Sequence, residues 1–113
     1  MTGKLTPLRA LMGWRKYVRV ISKAVGKVVP EAKVYVAGGA AEGRLTVKSD
    51  IDVLVVLPHE PDFAEAVELR IKILEEAEEI GLPLYAPVEL HMIGEERLEE
   101  YVRRGKVIPA DEI

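Results

Sequence analysis

The segment Lys48–Pro58, KSDIDVLVVLP, constrains the chain most. Its Val, Ile and Leu residues read as a core strand from Asp50 to Leu57, stopped by Pro58, which cannot donate to a ladder. Side chains alternate across a strand, so Asp50, Asp52, Leu54 and Val56 share one face. Ile51, Val53, Val55 and Leu57 share the other. Aspartate is a poor strand former, and two carboxylates on one face repel. Acids spaced i and i+2 can instead grip one cation, which turns that repulsion into attraction to the ion. The competing reading is a strand that begins in solvent, each Asp bonding nearby backbone amides.

Around this strand, helical and extended patterns alternate. Pro7–Val29 reads as a helix with Leu11, Trp14, Val18, Ile21, Val25 and Val28 on one stripe. Thr6 and Pro7 supply its start, and Pro30 its end. Its other faces are basic through Arg9, Arg15, Lys16, Arg19, Lys23 and Lys27. Lys33–Ala37 is a short strand. GGAAEGRLTVK is a glycine-rich connection with room for one helical turn. Asp62–Ile80 is a second long helix, opened by the capping pattern Asp62-x-x-Glu65. Phe63, Val67, Arg70/Ile71, Leu74 and Ala77 mark its expected inner face. Its EEAEE run opposes the helix dipole and reads as a solvated face. Gly81 and Pro83 stop it. Pro87–Ile93 is a third strand, Glu95–Arg104 a last helix closed by Gly105, and KVIP a final extended piece. The order α-β-(turn)-β-α-β-α implies an α/β (α+β) domain, a small mixed sheet with helices packed on it.

The 113 residues suffice for a single domain spanning 1–113. No apolar run approaches the roughly 20 residues of a membrane span. The N-terminus lacks a signal-peptide pattern, so a cytoplasmic location is expected. Cysteine is absent, which excludes disulfides and thiolate zinc sites. His59 and His91 are the only histidines, so a metal site must be built mainly from oxygen ligands, which suits magnesium or manganese. The net charge of −3 and the lack of a basic stripe disfavour direct nucleic-acid binding.

Two further features bear on the acids of the second strand. In PVELHMI, Glu89, His91 and Ile93 share one face. A carboxylate within an apolar strand is expensive to bury unpaired. If this strand lies beside Asp50–Leu57, Glu89 completes a three-carboxylate cluster. If it is a solvated edge, Glu89 simply faces water. His91 could orient a ligand carboxylate or be a packed strand histidine. The turn AGGAAEG matches neither a Walker loop nor the dinucleotide fingerprint. Its glycines permit close backbone approach, and their amides can hold phosphate oxygens. A plain tight turn is the alternative.

Taken together, these pieces resemble the nucleotidyltransferase fold of the DNA polymerase beta superfamily, and most of all its minimal stand-alone nucleotidyltransferases. The family pattern is a strand ending in Gly-Ser, a turn with a further Gly, then Ser-Asp-hydrophobic-Asp opening the next strand. Here VYVA runs into Gly38-Gly39, Gly43 stands at the second glycine position, and Ser49-Asp50-Ile51-Asp52 follows. PVELHMI is similar to the strand bearing the third acid, and EERLEEYVRRGKVI to the closing helix and tail. The likeness runs from Val34 to Ile108. The chain departs from the pattern at Gly39 in place of Ser, at Ala40-Ala41-Glu42 where basic residues are usual, and at Glu89 in place of Asp.

The resemblance implies metal-dependent transfer of a nucleoside monophosphate, AMP from ATP, to an acceptor hydroxyl. Asp50, Asp52 and Glu89 would then be catalytic and metal-binding, with Mg2+ or Mn2+ as the ion. Gly38, Gly39, Ser49, Arg44 and Lys48 would contact the nucleotide. It also implies a separate helical partner of the HEPN kind in a toxin–antitoxin pair. A weakly active or inactive antitoxin-like module that binds nucleotide and partner is the alternative. The acceptor and the oligomeric state are not encoded legibly.

Overall fold

The computed structural model describes residues 12–46 and 49–113. The elements are α1 (Trp14–Val28), β1 (Lys33–Ala37), α2 (Gly38–Glu42), β2 (Ile51–Leu57), α3 (Phe63–Ile80), β3 (Val88–Gly94), α4 (Glu95–Arg104) and β4 (Ile108–Pro109). A 3-10 turn, Ala110–Glu112, follows. This is the anticipated order, with the helical turn of the glycine-rich connection realised as α2. The expected helix start at Pro7–Leu11, its Thr6–Pro7 cap and Lys48 lie outside the described residues.

The strands form one mixed sheet in the order β3-β2-β1-β4. β1 runs antiparallel to β2 and β4. β2 and β3 are parallel, which requires a crossover, and α3 supplies it. β2 is central, and its alternation sorts its side chains between two cores. Ile51, Val53, Val55 and Leu57 meet Val18, Ile21 and Val25 of α1, Ile73 and Ala77 of α3, and Leu90 and Met92 of β3. On the opposite face, Leu54 and Val56 join Ala37 and Ile93 beneath Leu98, Tyr101 and Val107. The sheet thus lies between α1 and α3 on one side and the shorter α4 on the other. Because α4 packs over Leu54, Val56 and Ile93, the beginnings of β2 and β3 lie beyond that small core.

α3 is capped as its sequence suggests: Asp62 Oδ1 accepts from the Glu65 amide at 2.8 Å, and Gly81 follows the last turn. The expected inner face needs correction. Leu74 and Ala77 do pack inward, but Phe63 and Ile71 are 85% and 52% exposed. Ile73 and Ala77 are buried, flanked by Ala66, Leu69 and Ile80. Residues 71 and 73 lie about 200° apart on a helix, so an apolar residue at both leaves the helix two candidate stripes. Packing against α1 selects one of them. Arg70, expected on the inner face, is part-buried and donates from Nε to the Leu90 carbonyl at 3.2 Å, satisfying a polar group of the edge strand β3. In the EEAEE run, Glu75, Glu78 and Glu79 are exposed, while Glu76 pairs with Lys27 of α1 at 3.4 Å.

Candidate active site

The site forms where β1 ends and β2 and β3 begin. The register pairs Ala37 with Asp52 across β1–β2, and Asp52 with Glu89 across β2–β3. Strand alternation then directs Asp52 and Glu89 to the same face, and His91 follows two residues along β3. One donor atom each from Asp52, Glu89 and His91 lies within 4.8 Å of the others. His91 Nε2 is 3.1 Å from Asp52 Oδ1 and 3.7 Å from Glu89 Oε1. The His91 ring also lies 6.2 Å from that of Tyr101 on α4, tilted by 54°. β3 is an edge strand and Glu89 is partly in water, yet it stands beside Asp52. Asp50 is exposed, one residue ahead of β2, and is not among the gathered donors.

The glycine turn touches this cluster directly. Gly38 has φ +66°, a region that disfavours a side chain. A Cβ there would fall 2.4 Å from Asp52 Oδ2. The backbone therefore passes close to the Asp52 carboxylate, in a conformation that favours glycine. Gly39 is tight as well: a Cβ would meet the Arg44 carbonyl at 3.0 Å, and the Arg44 amide donates to the Gly39 carbonyl at 2.7 Å. Gly43, with φ +72°, ends α2 in the left-handed conformation.

The polar residues flanking this turn already have protein partners. Arg44 Nε donates to Glu42 Oε1 at 3.0 Å. Hydrogen bonding from Arg44, reinforced by its charge, holds the Glu42 carboxyl below its ordinary range, and the Lys106 amide adds to this. Glu42 is thus neutralised by Arg44 and tied to the tail after α4. Ser49 Oγ accepts from the Thr46 amide at 2.9 Å, and the Ser49 amide donates to the Thr46 carbonyl at 2.9 Å.

A second carboxylate structure lies at the opposite end of β2 and β3, beside an open cleft of about 520 Å³ lined by Pro58, His59, Glu60 and Gly94–Arg97. Glu60 Oε1 accepts from the Gly94 amide at 2.8 Å, and Glu60 Oε2 pairs with Arg97 Nη1 at 2.7 Å. Burial acts to raise its carboxyl, but the Gly94 amide and the Arg97 guanidinium outweigh it and hold it below its ordinary range.

Of the sequence-derived site residues, the structure gathers Asp52, Glu89 and Gly38, with Gly39 adjoining. Sequence reading gave His91 as a residue that could orient a ligand carboxylate or pack in the strand, and not as a site donor itself. The signal available was its position on the Glu89 face, two residues along. Chemically, two carboxylates and an imidazole offer a divalent ion oxygen and nitrogen donors.

A family model described as a nucleotidyltransferase domain matches residues 18–108. A candidate nucleotidyltransferase from Sulfolobus solfataricus has a similar structure, with a TM-score of 0.53 at 18% identity, covering 96% of this chain and 90% of that one. A toxin–antitoxin structure with AMP-PNP aligns with a TM-score of 0.55 at 19% identity, over 82% of this chain and 71% of that one. At such identities the likeness is one of fold. No curated protein matches the chain in sequence.

Proposed function

This chain belongs to the nucleotidyltransferase domain family, and we propose that it transfers AMP from ATP to an acceptor hydroxyl with a divalent cation, magnesium or manganese. One observation carries this reading: Asp52 and Glu89 are register partners on parallel strands, their carboxylates converging beside the Gly38 turn. The donor spacing suits an ion. Ligands held at about 2.1 Å stand roughly 3 Å apart when adjacent and about 4.2 Å when opposite. Asp52 and Glu89 would hold the ion, and Asp50, which lies outside the gathered donors, would have to turn in from the segment leading into β2 to join them. An ion held there would supply charge neutralisation for the attacking and leaving oxygens.

The chain's own residues position the reactants. The open backbone at Gly38 and Gly39 accepts the β- and γ-phosphates. Ser49, Arg44 and Lys48 border the nucleotide, and Arg44 exchanges Glu42 for phosphate to do so. Glu89 takes the proton of the acceptor hydroxyl. The acceptor oxygen forms a bond to the α-phosphorus, the bond from that phosphorus to the bridging oxygen breaks, and pyrophosphate leaves. The acceptor is a hydroxyl on a separate helical protein of the HEPN kind. The family resemblance and the shared fold with a toxin–antitoxin structure support this assignment.

A second reading, a partner-binding module without transfer, draws on the Glu42–Arg44 pair, which occupies the arginine that follows the glycine turn in sequence. Labelled ATP, Mg2+ or Mn2+ and a cognate helical partner separate the two. Label transfer that disappears in the Asp50→Ala/Asp52→Ala variant supports the transferase. Partner binding without transfer, unchanged by those substitutions, overturns it in favour of the module.

A further inference from the structure

We propose that His91 is a direct nitrogen donor to the cation, and that this mixed donor set favours manganese over magnesium. The inference rests on the cation site proposed above and names the class of ion it takes. Two carboxylates alone would present the all-oxygen surroundings that magnesium prefers. Here the third atom in the cluster is an imidazole nitrogen. His91 Nε2 is the ring atom turned toward both acids, at 3.1 Å from Asp52 Oδ1 and 3.7 Å from Glu89 Oε1. Both separations lie between the adjacent and opposite donor spacings of one ion.

The position is built rather than incidental. Register sets His91 opposite Leu54, one alternation along from the Asp52–Glu89 pair and on the same face. The Tyr101 ring of α4 lies against it, which restrains the imidazole. Its side chain is 26% exposed, so it stands at the edge of the small core under α4, facing the acids. Imidazole nitrogen is chiefly a ligand of the later divalent ions; manganese, the first of that affinity series, accepts it more readily than magnesium, which keeps oxygen ligands and sheds water reluctantly.

Pulsed electron paramagnetic resonance on the full chain loaded with Mn2+ tests this, because nitrogen bound to the ion modulates the echo. Calorimetric titrations with Mn2+ and Mg2+ accompany it. The wild type shows nitrogen modulation. His91→Ala loses it while retaining His59, and its preference for Mn2+ over Mg2+ falls about tenfold or more. Mn2+ bound to wild type without nitrogen modulation overturns His91 as a ligand and leaves a carboxylate site standing. No Mn2+ binding by wild type overturns both this inference and the cation site beneath it. Should His91→Ala fail to fold, the wild-type spectrum decides.

Discussion

The two ends of the β2–β3 ladder use carboxylates in opposite ways. Where the ladder closes, at Leu57 and Gly94, Glu60 accepts from a backbone amide and pairs with Arg97. Where it opens, Asp52 and Glu89 face one another, and among the described residues neither pairs with Lys or Arg, only with His91. The first arrangement is complete as it stands: it ties the loop after β2 to the start of α4. The second gathers like charges that an added cation would reconcile. The open cleft beside Glu60 therefore marks a structural junction, while the proposed chemistry belongs to the cluster at the other end. Satisfied charge, rather than concavity, tells the two ends apart.

If that contrast is right, its largest consequence is ion-dependent stability at one end only. Mn2+ at a hundred times its dissociation constant should stabilise the fold by about 2.7 kcal/mol, a rise in melting temperature on the order of 10 °C. Asp52→Asn should abolish the rise while leaving the ion-free melting temperature unchanged or higher, since a crowded charge is gone. Thermal melts with and without Mn2+ check this, and an equal rise in the variant would break the contrast.

At the other end, Gly94→Ala should cost about 1–3 kcal/mol. Its Cβ would fall 2.6 Å from the Glu60 backbone nitrogen, a contact that no side-chain rotation relieves. Denaturant melts read the loss, and Mn2+ affinity of the folded fraction should not move. Glu60→Gln should cost less than about 1 kcal/mol, because the pair is half in solvent. Glu60's carboxyl is held below its ordinary 4.5. Its stabilisation is therefore fully present above that value and is lost as the pH falls through its folded value. The difference between wild type and Glu60→Gln should accordingly shrink in melts below pH 4.5. The smallest effect belongs to Phe63, exposed at the start of α3: Phe63→Ser should change stability by no more than about 0.5 kcal/mol. A larger loss in the same melts would return Phe63 to the core face that its spacing suggests.

Much of the frame was legible beforehand. β1 has the predicted ends, and α4 runs from Glu95 to Arg104 as expected. The alternation of β2 and β3 sorted Asp52, Glu89 and their apolar neighbours onto the observed faces. The inner face of α3 was legible only in part: Leu74 and Ala77 pack inward as expected, but Phe63, Val67 and Ile71 mimic a buried stripe while Ala66 and Ile73 help form the real one. The capture of Arg44 by Glu42, which makes a residue of seemingly wrong charge near the glycine turn the partner of its neighbour, was not legible.

Sequence alone determined the element order and the faces of the strands. Those follow from the local periods of a pleated strand and a helical turn, which covalent geometry imposes on every segment. Tertiary structure decided which residues meet: Glu89 beside Asp52, Gly38 against the Asp52 carboxylate, His91 between two acids, and Asp50 apart from them. Such meetings depend on strand register and helix packing between segments distant along the chain. No local pattern encodes the separation of two side chains carried by different strands.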